Sequence, residues 1–253
     1  MILTNLNDGV LTVALNRPKV NAFNQEMTKA LRDALKRAGR NDSARVIVLT
    51  GTGRLFSAGQ DLSEFGEGGR VPLREHLQKT YNPLIIQMRK LEKPIIGAIN
   101  GTVAGAALGI ALACDLRVAA DSARFVVGFL GIGLAPDSAV SLLLPHLIGL
   151  ARAAEFTFSN QPISAQQALA WGMVNRVVPA DELPDAAAAW AARLAKGPIR
   201  AMGLAKRNFN KAIIPHLTEV LDYEAHIQEI AGQGGEHQEG LAAFREKREA
   251  RYV

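Results

Sequence analysis

The sequence predicts an α/β fold with crossover connections, and three observations predict it. Short β-type runs alternate with helical patterns, no stretch reads as a domain linker, and the chain becomes mainly helical beyond Ser138. Taken in order, residues 10–15 (VLTVAL) read as a strand. Asn24 then reads as an N-cap, with Met27, Leu31 and Leu35 on one helical face and Gly39 as the stop. Residues 45–50 form the next strand. Residues 73–91 carry apolar side chains near every third or fourth place, and Pro83 is expected to kink or divide that helix. Residues 94–99 read as a strand and 105–113 as a glycine-spaced helix, followed by strands at 116–119 and 125–127. A further helix is expected over 139–148. From about residue 183 the chain reads as a helical cover or oligomerisation element. Three glycines in residues 66–69 mark the best candidate for a mobile loop.

Composition narrows the class. The 253 residues suit one large domain, or one domain with an appendage. Hydrophobic residues at 48% and charged residues at 21% are the balance of a chain that buries a core. A net charge of +5 favours anionic partners without separating a nucleic acid from a phosphorylated cofactor. The lone Cys114, in an apolar run, excludes an intrachain disulfide and fits a reducing cytoplasm. Its expected role is that of a small buried hydrophobe. No signal peptide is read at the start of the chain. Residues 94–114 are uncharged for a bilayer-spanning length, but Asn100-Gly101 is a turn signal in their middle, so strand, turn and helix are expected there.

Three segments carry candidate chemistry. Residues 56–62 (FSAGQDL) follow a strand, and residues 100–109 (NGTVAGAALG) pass from strand to helix. At a helix start the first N–H groups have no internal partner, and small side chains let a substrate oxygen approach them. Two such groups converging on one oxygen would form an oxyanion hole. Close packing of helix on sheet is the plainer use of the same residues. The third segment, residues 131–138 (GIGLAPDS), places Asp137 after an apolar approach. Asp137 or Ser138 would cap the next helix, or burial would raise the Asp137 pKa and make it a base. If Ser138 is the cap, Asp137 is free for catalysis. His146, His216, His226 and His237 have no metal-ligand spacing and are expected at the surface or in packing; no metal is expected. His76 is near enough on its helix to reach a site, though nothing in the sequence requires it.

Together these segments resemble the crotonase, or enoyl-CoA hydratase/isomerase, family. The matching motifs are Leu15-Asn16-Arg17-Pro18 with Asn21-Ala22, residues 56–62, Lys93-Pro94 through Asn100-Gly101 and Gly105, Cys114-Asp115, and residues 168–174. The resemblance implies a spiral of β-β-α units over residues 1–195, with a C-terminal helical cover and oligomerisation region at 196–253. It implies trimers or paired trimers, and an acyl-CoA thioester as substrate with no further cofactor. Ala58 and Ala106 would donate to the thioester oxygen. Asn21, Ala22, Gly59, Gln60, Asp61, Leu62, Gly105 and Phe129 would line the substrate channel, and Lys206 would meet the nucleotide phosphates.

The sequence departs from the family where hydratases carry two glutamates: those places hold Gly109 and Phe129, and neither moves a proton. Asp137 stands where several members carry their working acid. The run 131–138 is most similar to that of the ring 1,2-epoxyphenylacetyl-CoA isomerases of phenylacetate degradation, which form an oxepin from the epoxide and also shift enoyl double bonds. An acyl-CoA isomerase with Asp137 as its single acid-base residue is therefore expected. The rival readings are a 4-chlorobenzoyl-CoA dehalogenase with Asp137 as nucleophile, against which Phe129 and the lack of a His at the expected helical place count, an RNA-binding member lacking a focused basic stripe, and a catalytically silent scaffold.

Overall fold

The computed structural model describes residues 1–65 and 72–252, so the glycine-rich segment 66–70 lies outside the described residues. The chain opens with a hairpin of β1 (Ile2–Asn7) and β2 (Val10–Leu15), registered Ile2 to Leu15. Helix α1 (Gln25–Arg40) follows, and its cap is the one the sequence predicts: the Asn24 side chain accepts from the Met27 N–H. Met27, Leu31 and Leu35 are buried on its inner face.

Three β-β-α turns then stack. Strands β3 (Val46–Gly51) and β4 (Leu55–Ser57) lead to α2 (Leu73–Lys79) and α3 (Tyr81–Lys90). Strands β5 (Ile95–Ile99) and β6 (Thr102–Ala104) lead to α4 (Ala106–Ala113). Strands β7 (Leu116–Ala120) and β8 (Arg124–Val126) lead through a 3-10 turn at Leu130–Ile132 to α5 (Val140–Ile148). In each turn the first strand joins a six-stranded sheet and the second a four-stranded one; with β9 (Ile163–Ser164) and β10 (Arg176–Val178) the orders are β1-β2-β3-β5-β7-β10 and β4-β6-β8-β9. The chain thus winds as the spiral expected from the resemblance. The remaining elements are α6 (Leu150–Ser159), β9 (Ile163–Ser164), α7 (Ala165–Ala170), β10 (Arg176–Val178), α8 (Leu183–Ala195), α9 (Ile199–Ile213), α10 (Leu217–Gly232) and α11 (Gly235–Glu246).

β5 and most of β3 are apolar and buried, as parallel strands covered on both faces must be. Helix α8 packs over β2, β3, β5 and β7. The predicted break near Pro83 falls instead at Thr80. Pro83 sits in the first turn of α3, where its missing N–H would have had no intrahelical partner. The strand-turn-helix reading of residues 94–114 holds, and among the described residues no helix is long and apolar enough to cross a membrane.

Two sequence motifs are explained by the fold itself. Asp115 accepts from Arg89 at 3.0 Å, from Lys206 at 2.8 Å and from the Ile95 N–H, so it ties α3 and α9 to the edge of β5. Burial pushes the neighbouring Cys114 thiol up to about 12, which keeps it an inert packing group.

Candidate active site

A cavity of about 730 Å³ opens between the strand-to-helix passages, α2, and the C-terminal helices α10 and α11. Its wall is mainly apolar, including Val20, Leu77, Phe129, Ile132 and Leu134. Of the residues singled out from the sequence, Ala22, Ala58, Gln60, Asp61, Leu62, Gly105, Ala106, Phe129 and Asp137 all meet there.

The donors come from two loops. Ala106 is the first residue of α4, and among the described residues its N–H has no acceptor. The second expected donor requires correction. The Ala58 N–H already bonds to the Val20 carbonyl at 3.0 Å, which holds the loop before α1 against β4. Two residues on, Gln60 pairs with Phe23 in an isolated bridge that uses the Gly59 carbonyl and the Asp61 N–H. Among the described residues the Gln60 N–H has no acceptor, so Gln60 replaces Ala58 as the available donor. Gly59 does not line the cavity but makes this approach possible. It has φ +89°, and a side chain there would sit 2.6 Å from the Ala104 carbonyl oxygen.

Asn21 and Lys206 also require correction. The Asn21 side chain accepts from the Arg17 N–H and donates to the carbonyls of Thr52 and Leu55, so it staples two loops behind the site. Lys206 is buried outside the cavity, donating to Asp115 and to the Met88 carbonyl, and is not available to a nucleotide phosphate in this chain. Asp61 lies at the cavity wall but is paired with Arg17 at 2.6 Å and accepts from both the N–H and hydroxyl of Ser63.

Asp137 is the buried carboxylate of the cavity. The Ser138 hydroxyl donates to its Oδ1 at 2.7 Å and Gln228 Nε2 to its Oδ2 at 2.6 Å. Burial raises its pKa to about 6, against a smaller lowering from those two bonds. It caps nothing. Ser138 and Ala139 take successive left-handed conformations, φ +56° and +64°, a strained turn for residues with a Cβ. The cap the sequence assigned to Asp137 or Ser138 comes from a distant residue. Glu224 of α10 accepts from the N–H groups of Ala139 at 2.8 Å and Ser141 at 3.1 Å, and from the Ser141 hydroxyl. Burial raises the Glu224 pKa to about 7.

A pH prediction follows from the Asp137 shift. With its pKa raised from 3.8 to about 6, the folded state binds this proton more tightly than the unfolded chain. The resulting stabilisation is complete below pH 3.8 and is lost as pH rises through 6. Asp137→Asn, with no charge to bury, is expected to exceed wild type in stability at pH 8 by about 1–3 kcal/mol. The gap should close toward pH 4; thermal melts at both pH values check it.

Sequence reading allowed His76 a place at a site but passed over Tyr81, Gln228, Leu241 and Phe244, which also line the cavity. His76 Nε2 lies 3.0 Å from Gln60 Oε1, and the Tyr81 hydroxyl donates to the same oxygen at 2.7 Å. Tyr81 is buried and its pKa is held well above the usual value, first by burial and then by the charge of Asp137. His237, expected at the surface or in packing, is buried against the Ile132 carbonyl at 2.7 Å. Gln228, Leu241 and Phe244 reach the cavity from the C-terminal helices.

The Gly109 departure now has a physical meaning. A Cβ at Gly109 would stand 2.2 Å from the Ser138 carbonyl oxygen, so the strained turn carrying Asp137 occupies the space of any side chain there. Gly109→Ala is expected to destabilise the fold by about 2–3 kcal/mol, read as a lowered denaturant midpoint. Gly109→Glu is expected to gain no hydration of a 2-enoyl-CoA.

Residues 5–253 match the family described as enoyl-CoA hydratase/isomerase. The chain belongs to the enoyl-CoA hydratase/isomerase family. It is 40% identical to the 1,2-epoxyphenylacetyl-CoA isomerase of Escherichia coli (strain K12), covering 100% of this chain and 98% of that one. It is 36% identical to 4-chlorobenzoyl coenzyme A dehalogenase-2 of an Arthrobacter species, covering 95% and 88%. The crystal structure of an enoyl-CoA hydratase from Mycobacterium avium subsp. paratuberculosis K-10 superposes with a TM-score of 0.90 at 30% identity, covering 100% of this chain and 98% of that one.

Proposed function

We propose that this member of the family is an acyl-CoA isomerase that moves one proton with one carboxylate. The observation that carries the reading is Asp137: a buried carboxylate on an apolar cavity wall, with its pKa raised to about 6 and no second acid at Gly109 or Phe129. The thioester oxygen of a 3-enoyl-CoA accepts from the N–H groups of Gln60 and Ala106. Ionised Asp137 takes the proton from C2, the C–H electron pair forms a C1–C2 double bond, and the carbonyl π pair moves onto the thioester oxygen to give a dienolate. As the carbonyl reforms, the double bond comes to lie between C2 and C3 and the protonated acid returns the proton to C4. The product is the 2-enoyl-CoA, and Asp137 is again ionised. Negative charge on the oxygen is greatest between the two transfers, where fixed N–H dipoles help most.

The likeness to the Escherichia coli enzyme supports a ring-bearing substrate, ring 1,2-epoxyphenylacetyl-CoA, and a place in phenylacetate breakdown. Phe129, Ile132 and Leu134 supply the apolar wall for such a ring. The test is conversion of a 3-enoyl-CoA to its 2-enoyl isomer, followed by absorbance, with mass spectrometry showing no added water; the epoxide is the next substrate. Hydration in place of isomerisation overturns the reading. The reading further includes a cytoplasmic trimer or paired trimer, for which the exposed apolar side chains of Phe158, Phe209 and Ile213 offer contact surface. Light scattering checks that assembly.

A second reading, nucleophilic dehalogenation, draws on the likeness to the Arthrobacter enzyme and on His76, which brings an imidazole to the cavity. In that case Asp137 attacks the ring carbon and chloride leaves. Chloride release from 4-chlorobenzoyl-CoA separates the two.

A further inference from the structure

Helix α10 reaches the loop of Asp137 twice, at Glu224 and one turn later at Gln228. Gln228 is buried and lines the cavity, where its Nε2 donates to Asp137 Oδ2 at 2.6 Å. Its Oε1 is also buried, and among the described residues it has no donor. A methionine would fill the same space without an unpaired acceptor, and buried acceptors are rarely left in that state. The amide carries this penalty, and among the described residues the side-chain bond it makes is to the carboxylate.

The bond completes a clamp. With Ser138 on Oδ1 and Gln228 on Oδ2, the carboxylate cannot turn about its Cβ–Cγ bond without losing both partners. A 1,3-proton shift needs one carboxylate to serve two carbons in succession, so a fixed orientation matters at both transfers. We propose that Gln228 is a positioning residue for Asp137, its amide N–H holding the carboxylate in the orientation that serves both carbons and favouring its ionised form. The proposal rests on the isomerase reading for its catalytic consequence, but not for the clamp itself.

The charged and titratable groups around the pair come from several elements. Glu224 precedes Gln228 on α10, Tyr81 faces Asp137 from α3, and His76 lines the cavity from α2. Asp61 and the Arg245 of α11 complete the wall, and His237 of α11 packs against Ile132 behind it. All of these stay in place in the variants below, so a changed titration reports the amide.

The experiment compares wild type with Gln228→Met and Gln228→Leu. Kinetics of 3-enoyl-CoA isomerisation are measured against pH. Asp137 is also titrated without substrate, from the pH dependence of stability of each protein relative to its Asp137→Asn counterpart. In Gln228→Met, loss of a donor to the ionised form moves the rising limb of kcat/KM to higher pH by about one unit. The same variant lowers kcat by about 10-fold or more and leaves KM within about 2-fold. Gln228→Leu, which also removes the donor, moves the limb in the same direction by a similar amount. If Gln228→Met does not fold, Gln228→Leu decides alone. An unmoved titration and unmoved kcat in the folded variants overturn the proposal, leaving the isomerase reading intact. A moved titration in a protein that turns over no acyl-CoA sustains the clamp and overturns the isomerase reading instead.

Discussion

Asp137→Asn is expected to lower turnover of a 3-enoyl-CoA by at least about 10²-fold, a usual contribution of a positioned general base. The amide keeps the shape of the carboxylate and can still accept from Gln228, while the Ser138 hydroxyl can turn to accept from its NH₂. The fold and substrate binding are therefore expected to survive, with KM little changed. Wild-type kcat/KM should rise with pH through about 6 and level above it, because the ionised acid of the free enzyme starts the reaction. The variant should show no such limb. Steady-state kinetics over pH 5–9 provide the check, and near-wild-type turnover in a folded variant removes Asp137 from the mechanism. The same substitution is expected to stabilise the protein at alkaline pH, so gain of stability and loss of rate together identify a carboxylate kept in a costly place for its chemistry.

Ala106→Pro is the second large effect. Residue 106 is the first of α4, a position where proline is tolerated because its N–H has no intrahelical partner. The substitution therefore deletes one donor to the thioester oxygen while leaving the helix able to form. A loss of about 10²–10³ in kcat, roughly 3 kcal/mol of barrier, is expected from removing one oxyanion donor. Circular dichroism and a thermal melt establish that the fold persists, and turnover with the same 3-enoyl-CoA gives the effect. Ala58→Ser is the contrasting change: its backbone N–H serves Val20, so a rate change there should be small.

The offset between Ala58 and Gln60 shows where sequence reading stops. Both lie in one short glycine-alanine segment, and local pattern cannot say which N–H is left over. The answer depends on Val20 and Phe23, brought in from the preceding loop, which engage the N–H groups of Ala58 and Asp61 and leave that of Gln60. Ala106 was legible because a helix start frees its N–H groups whatever packs nearby. Lys206 failed for the opposite reason. A basic residue on a late helix reads as a surface charge, but Asp115 draws it into a buried ion pair between distant segments.

The cap of α5 is a further case. Ser138 and Asp137 have cap chemistry in the right place, yet two left-handed residues turn the chain there and the cap arrives from Glu224. No local rule finds a partner that far along the chain.

By itself the sequence determined the alternation of strands and helices, the Asn24 cap, the turn at Asn100-Gly101, the absence of acids at Gly109 and Phe129, and the presence of one at Asp137. These follow from residue type and short-range spacing, which act within a turn or a strand. The tertiary structure alone decided which N–H groups remain free, that the loop of Asp137 fills the space above Gly109, and that α10 supplies both the cap and the clamp. Burial sets the rest: the same aspartate is an ordinary acid in water and titrates near 6 only once an apolar cavity has closed around it.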